Sequence, residues 1–228
     1  DAILAFLTGG TAEHFAETME CIRENYPRDV FYNLMNVIGT HDTARALTLL
    51  GVTGEEWKMD RDSRAHYTLP MDRLETARRK LKLAAVIQFT MPGSPTIYYG
   101  DEAGRQGFED PFNRRTYPWG AEDRELLAFY RRLCALRADS ETLARGDLRF
   151  VESSGALLHY ERVSDHARLH ILVNRGHHAV ETRVDAVYAV DMLENAEFDR
   201  ADSRGVYVTI PPETAYILRC FGTPLKED

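Results

Sequence analysis

From its first residue the chain shows helical and extended hydrophobic patterns in turn, and the character of the pattern changes once, near residue 140. The spacing predicts a short helix over residues 2–7, ended by Gly9 and Gly10. It predicts a second helix through Phe15, Met19 and Ile22, with Thr11 as N-cap and Pro27 as its stop. VFYNLMNVI, residues 30–38, is nearly continuous apolar sequence with β-branched and aromatic members. That is the pattern of a strand covered on both faces, as in a parallel sheet. GTHD follows, and RALTLLG opens a helix. Residues 52–70 are polar and predict a long loop anchored by Trp57, and loops of that length usually serve a function.

DRLETARRKLKLAAVIQFT, residues 72–90, predicts a strong helix in which Asp72 as N-cap and Glu75 form a capping box. Leu74, Ala77, Leu81, Ala84, Ala85 and Gln88 lie along its inward stripe. PGSP breaks the chain, TIYYG predicts a second short buried strand, and a long loop rich in charge and glycine follows. Residues 123–138 predict another amphipathic helix, with Leu126, Leu127, Tyr130, Leu133 and Cys134 inward. Beyond it, segments 148–152, 157–163, 168–174, 179–184, 187–191, 205–210 and 214–221 are short and partly alternating, separated by turn residues. Short strands at this spacing suggest an antiparallel sandwich. The expected fold class is thus α/β followed by all-β, in the order αβαβα and then strands. The expected domains are residues 1–140 and 141–228.

Composition narrows the function. The net charge of −8 argues against nucleic acid as a partner, because a phosphate-binding face needs excess lysine and arginine. No apolar run approaches the ~20 residues that span a bilayer, so no membrane partner is expected. Cys21, Cys134 and Cys220 are odd in number and sit in apolar patterns, which reads as buried small side chains rather than disulfides or a zinc site. DAILAFL starts inside an apolar-periodic segment with no initiator methionine. The chain is therefore expected to be a piece of a longer protein, and its localisation stays open.

A strand–helix–strand unit with a long crossover implies parallel strands. The loops after residues 38 and 99 then emerge at the carboxyl end of the sheet, where such folds place their sites. GTHD and GDEAGRQGFEDPFNRRTYPW would face each other across one cleft. The residue types suit sugar hydroxyls, which a carboxylate reads by accepting two hydrogen bonds and an imidazole by donating one. His41 and Asp42 supply both, and Asp110 and Arg114 add an acceptor and a rigid donor fork. Tyr98, Tyr99, Phe108, Phe112, Tyr117 and Trp119 are candidate apolar platforms.

Plainer readings compete with these. His-Asp is a common helix-start signal. Asp101 and Glu102 are chain neighbours, and catalytic carboxyl pairs need a gap of roughly 5–9 Å across a substrate. They are expected to fix the loop through ion pairs or hydrogen bonds. His177 and His178 are expected to mark a turn, since no third ligand completes a metal set nearby.

GTHDTAR followed by KLKLAAVIQFTMPGSPTIYYGDEAGRQGFEDPFNRRTYPW closely resembles the α-amylase superfamily, glycoside hydrolase family 13, and within it the neopullulanase and cyclomaltodextrinase group. DAILAFL and ENYPRDVFYNLMNVIGTHD are similar to that group's sixth helix and seventh strand. The resemblance implies that residues 1–140 are the last part of a (β/α)₈ barrel, with two barrel strands, and that 141–228 are the C-terminal β-sandwich. It implies retaining cleavage or transfer of α-glucosidic bonds. Asp42 then takes the role of transition-state stabiliser and His41 that of a hydrogen bond to the substrate. Asp110 and Arg114 would contact sugars on the non-reducing side of the cut.

The family's nucleophile Asp, its acid/base Glu and its calcium sites all lie upstream of Asp1. Retaining chemistry needs both carboxyls, so this chain alone is expected to be inactive and to hold no cofactor or metal. Its expected partners are an α-glucan oligosaccharide and the missing N-terminal barrel half. A complete barrel takes ~250 residues, and two barrel strands leave open edges, so homo-oligomers or domain swapping are also expected. The alternatives are a non-catalytic α-glucan-binding module and an amylase-like interaction module. The sequence leaves open starch, pullulan or cyclodextrin as substrate, and hydrolase or transglycosylase as activity.

Overall fold

A computed structural model of the chain describes residues 1–199 and 205–222. The first half runs α1 (Ala2–Leu7), α2 (Ala12–Asn25), α3 (Arg28–Phe31), β1 (Met35–Val37), α4 (Ala46–Gly51), α5 (Arg61–His66), α6 (Met71–Thr90), β2 (Ser94–Thr96) and α7 (Arg124–Asp139). β1 and β2 pair in parallel, Met35 with Ser94 and Val37 with Thr96, as the crossover requires. Thr11 caps α2 by accepting from the His14 amide at 3.2 Å, and Asp123 caps α7 by accepting from the Leu126 amide at 3.1 Å.

Several expectations need correction here. The apolar run 30–38 yields a strand of only three residues. Pro27, with φ fixed near that of a helix, opens the turn α3, which takes up Val30 and Phe31. Met35 and Val37 are exposed rather than covered, because β1 has one partner strand among the described residues. β2 starts before TIYYG and includes Pro95. The Ser94 amide donates to the Leu34 carbonyl at 2.8 Å, so Pro95 turns its ring nitrogen to the side with no partner. α6 begins one residue early, with Pro70 at the N-cap and Asp72 inside the first turn, and no capping box forms. The expected loop 52–70 carries a 3₁₀ turn at Glu55–Lys58 and α5. Cys21 and Cys134 are exposed and Cys220 is half-buried, against the reading of all three as core.

The second half adds α8 (Glu141–Arg145) and eight strands: β3 (Asp147–Ser154), β4 (Leu157–Val163), β5 (Arg168–Asn174), β6 (Val180–Val184), β7 (Tyr188–Asp191), β8 (Glu197–Asp199), β9 (Val206–Ile210) and β10 (Thr214–Phe221). Neither α8 nor β8 was expected from the pattern. The pairings are antiparallel, in a six-stranded sheet ordered β3-β4-β5-β10-β7-β8 and a two-stranded sheet of β6 and β9. His177 and His178 lie exposed in the turn between β5 and β6.

Strand alternation sends the two faces of the six-stranded sheet to different cores. Leu158, Tyr160, Leu169, Ile171 and Ile217 join the main core with Phe6, Phe15, Leu81 and Ile87 of the helices. Leu157, Leu172 and Leu218 face Val184, Val206, Val208 and Ile210 of the small sheet. His159 and His170 lie on that second face, ring to ring at 2.8 Å, and burial lowers them to about 4 and about 3.

The carboxyl end of α6 locks the helical half to the sheet. Arg137 donates to the Phe89 carbonyl at 3.1 Å, and the buried Arg162 on β4 donates to the Thr90 carbonyl. Both satisfy carbonyls that a helix end leaves without partners. One turn earlier, Gln88 donates to the Asn36 and Thr96 carbonyls at 2.8 and 2.9 Å, tying α6 to both parallel strands. The loops that leave β1 and β2 are thereby held at fixed points.

Candidate functional site

The loop after β1 turns tightly at Thr40–Thr43. The Thr40 amide donates to Thr43 Oγ1 and the Asp42 amide to Thr40 Oγ1, each at 3.2 Å. This turn presents His41 and Asp42 outward, with side chains 64% and 70% exposed and Nε2 to Oδ1 at 3.2 Å. The loop after β2 returns over it. Asn113, fully buried, donates through Nδ2 to the His41 and Thr43 carbonyls, both at 2.7 Å. Arg114 Nε donates to the His41 carbonyl at 3.2 Å and meets Asp110 Oδ1 at 2.9 Å, while its Nη2 lies 3.8 Å from Asp42 Oδ1.

His41, Asp42, Asp110 and Arg114 are therefore brought together. They do not face each other across a cleft, however. The two loops pack directly on one another through the His41 carbonyl, and the four side chains form an open ledge with one guanidinium between two carboxylates.

Under the ledge lies a buried layer that sequence reasoning missed. Arg45 is fully buried. Its Nε donates to the Asn113 carbonyl at 2.7 Å, its Nη1 to the Tyr99 carbonyl, and Nη1 also meets Asp101 Oδ1 at 3.1 Å. Tyr98 lies 4.2 Å from its guanidinium carbon, within cation–π range. Asp101 is thus an ion-pair partner that fixes the loop, as its position beside Glu102 suggested. Burial pushes its carboxyl up to about 6, against the opposing pull of Arg45. Gly39 leaves room for that carboxyl, since a Cβ there would collide with Asp101 Oδ2.

The aromatics sort into different tasks. Phe108 is buried between Trp57 and Tyr67, with ring centroids at 4.9 and 5.6 Å, so it serves packing and not a sugar face. Trp57 anchors its segment as expected. Tyr99 is exposed and donates to the Arg115 carbonyl at 2.9 Å. Trp119 is 83% exposed against Tyr117. Among the described residues, no cluster of three or more His, Cys, Asp or Glu is placed to hold a metal ion.

Comparison with known proteins agrees with this arrangement. The family described as "Alpha amylase, catalytic domain" matches residues 7–120, which include both loops. An amylopullulanase of Thermoanaerobacter thermohydrosulfuricus is 42% identical over 141 residues, 62% of this chain and 9% of that protein. A cyclomaltodextrinase of Geobacillus thermopakistaniensis is 31% identical over 222 residues, 93% of this chain and 34% of that protein. The fold matches a crystal structure of an α-amylase from Geobacillus thermoleovorans complexed with acarbose, with TM-score 0.77 and 21% identity, over 96% of this chain and 45% of that one. The chain spans about a third or less of the length of these two relatives and under half of that structure. On the strength of the matched segment and of the loops it contains, the chain belongs to the α-amylase family, glycoside hydrolase family 13.

Proposed function

We propose that this chain is the C-terminal part of a retaining glycosidase acting on α-1,4- or α-1,6-glucosidic bonds, as in maltodextrin, pullulan or cyclodextrin. In this reading β1 and β2 are the last two strands of a (β/α)₈ barrel, and residues 141–228 are the sandwich that follows it. The observation that carries the reading is the ledge: His41, Asp42, Asp110 and Arg114, from loops some seventy residues apart, meet at the carboxyl ends of two parallel strands.

Each residue has a physical task there. Asp42 accepts hydrogen bonds from ring hydroxyls and places negative charge near a sugar that becomes oxocarbenium-like as its bond breaks. His41 donates to the same ring. Asp110 and Arg114 bind a neighbouring sugar by the acceptor and fork geometry of a charge-assisted pair. Asn113 and Arg45 are positioning residues, which hold the backbone on which these groups stand. The attacking and protonating carboxyls come from the remainder of the barrel, so the isolated chain binds but does not turn over substrate.

In the complete enzyme, Asp42→Asn is expected to raise the barrier by about 3 kcal/mol, the scale of lost electrostatic stabilisation. Steady-state kinetics on maltodextrin or cyclodextrin test this. A near-wild-type rate would remove Asp42 from the chemistry.

A further inference from the structure

We propose that the junction between the helices and the β-sheets holds a second binding site, distinct from the ledge, for an α-linked gluco-oligosaccharide. A cavity of about 330 Å³ opens between α6, α7, the turn after β7 and the turn between β9 and β10. That volume is at the small end of the ~300–1,000 Å³ of ligand pockets. Leu83, Val86, Phe129 and Leu193 give it an apolar floor.

Its walls carry three ion pairs: Arg79 with Glu213 at 2.5 Å, Arg132 with Glu194 at 3.0 Å, and Lys82 with Glu125. Glu213 is the unusual member. Its side chain is only 8% exposed, and Oε1 has no hydrogen-bond partner. Its backbone is left-handed, with φ at 49°, where glycine or asparagine is at ease and glutamate is strained. A turn alone does not call for glutamate there.

The lining selects the ligand class. Every cation on the wall already holds a carboxylate, and Asp191 adds a further acid, so phosphates and other anions meet net negative charge. A wholly apolar ligand would leave Glu213 Oε1 desolvated and unbonded. A pyranose answers both demands, with hydroxyl donors at its edge for Glu213 and C–H faces for Phe129 and Val86. That the sugar is an α-glucan rests on the function proposed above; the cavity and its unpartnered acceptor do not.

The test is a maltotriose titration of the 228-residue chain carrying Arg114→Ala, which silences the ledge, followed by NMR at the Val86, Leu193 and Ala215 amides. Saturable shifts at these amides are expected. Glu213→Gln should weaken the binding about tenfold through loss of a charged acceptor. It should leave the melting temperature nearly unchanged, because Arg79 is half exposed. Phe129→Leu keeps the volume, removes the aromatic face, and should also weaken binding. It serves as the second variant should Glu213→Gln unfold. Absence of shifts, equal affinity of the variants and the parent, or tighter binding of spermidine than of maltotriose would each overturn the proposal. Equal binding of cellotriose would keep the sugar site and overturn its α-glucan assignment. The catalytic reading stands or falls separately, on Asp42→Asn kinetics of the complete enzyme.

Discussion

Arg45 and Arg114 both reach from one strand-end loop to the other, and both meet an aspartate. Arg45 and Asp101 do so with side chains 0% and 5% exposed, whereas Arg114 and Asp110 are 47% and 57% exposed. The same chemical pair therefore serves two ends in two layers. In the lower layer the guanidinium bonds two backbone carbonyls besides its acid, and an aromatic ring lies beside it. In the upper layer the charges stand in water, where their mutual attraction is weak and their capacity to bind a ligand is intact. Burial, not residue type, separates the part that holds the loops from the part that is offered to a substrate.

The largest effect that can break this distinction is expected at Arg45. Arg45→Met keeps most of the side-chain volume but strands Asp101 as an unpaired buried acid and removes a donor from the Asn113 carbonyl. Removing one partner of a buried pair costs about 3–5 kcal/mol. Urea unfolding of the chain measures this, and a cost near zero would mean that the lower layer is not what holds the two loops together.

The pH dependence of stability follows from the same burial. Asp101 rises from 3.8 to about 6 in the folded chain, so the folded state binds its proton more tightly than the unfolded state does. Its contribution is full below pH 3.8 and is lost as the pH rises through about 6, on the order of 3 kcal/mol. His159 and His170 act in the opposite direction. Burial lowers them from 6.5 to about 4 and about 3, so their contribution is full above pH 6.5 and is lost as the pH falls. The two halves of the molecule thus oppose each other across the window from pH 6.5 to pH 4. Asp101→Asn should steepen the loss of stability on acidification, and His159→Gln should flatten it, both read from urea midpoints across that window. An Asp101→Asn curve parallel to wild type would place the Asp101 carboxyl in water.

These two layers were unequally legible in the sequence. His41, Asp42, Asp110 and Arg114 were found because they sit in recognisable stretches and because parallel strands bring strand-end loops together. Thr11, Asp123 and the strands after residue 146 were read from local capping and alternation, and the structure has them nearly where they were expected. Arg45 stood in the quoted GTHDTAR, yet nothing local marks it as buried, since Asp101 is 56 positions away and Asn113 is 68. The short reach of β1 was hidden for a related reason. An apolar run says what can be buried, while the length of a strand depends on the neighbour that pairs with it. Cys134 was misplaced because the inward stripe of α7 runs through Phe129 and Leu133 rather than through the cysteine.

The smallest expected effect sharpens the comparison from the other side. Arg114→Ala removes two exposed ion-pair contacts and one hydrogen bond to the His41 carbonyl. That carbonyl keeps the Asn113 amide at 2.7 Å, and the same Asn113 also holds Thr43, so the turn that presents His41 and Asp42 stays in place. The expected loss of stability is below about 1 kcal/mol, the range of exposed pairs. In the complete enzyme the same substitution should raise KM for maltodextrin with a smaller change in kcat, since Arg114 is assigned to a neighbouring sugar and not to the bond being cut. A stability cost as large as that of Arg45→Met would show that the ledge is part of the scaffold. The exposed arginine would then have been selected to hold the fold, and the case for a sugar at this surface would lose its physical basis.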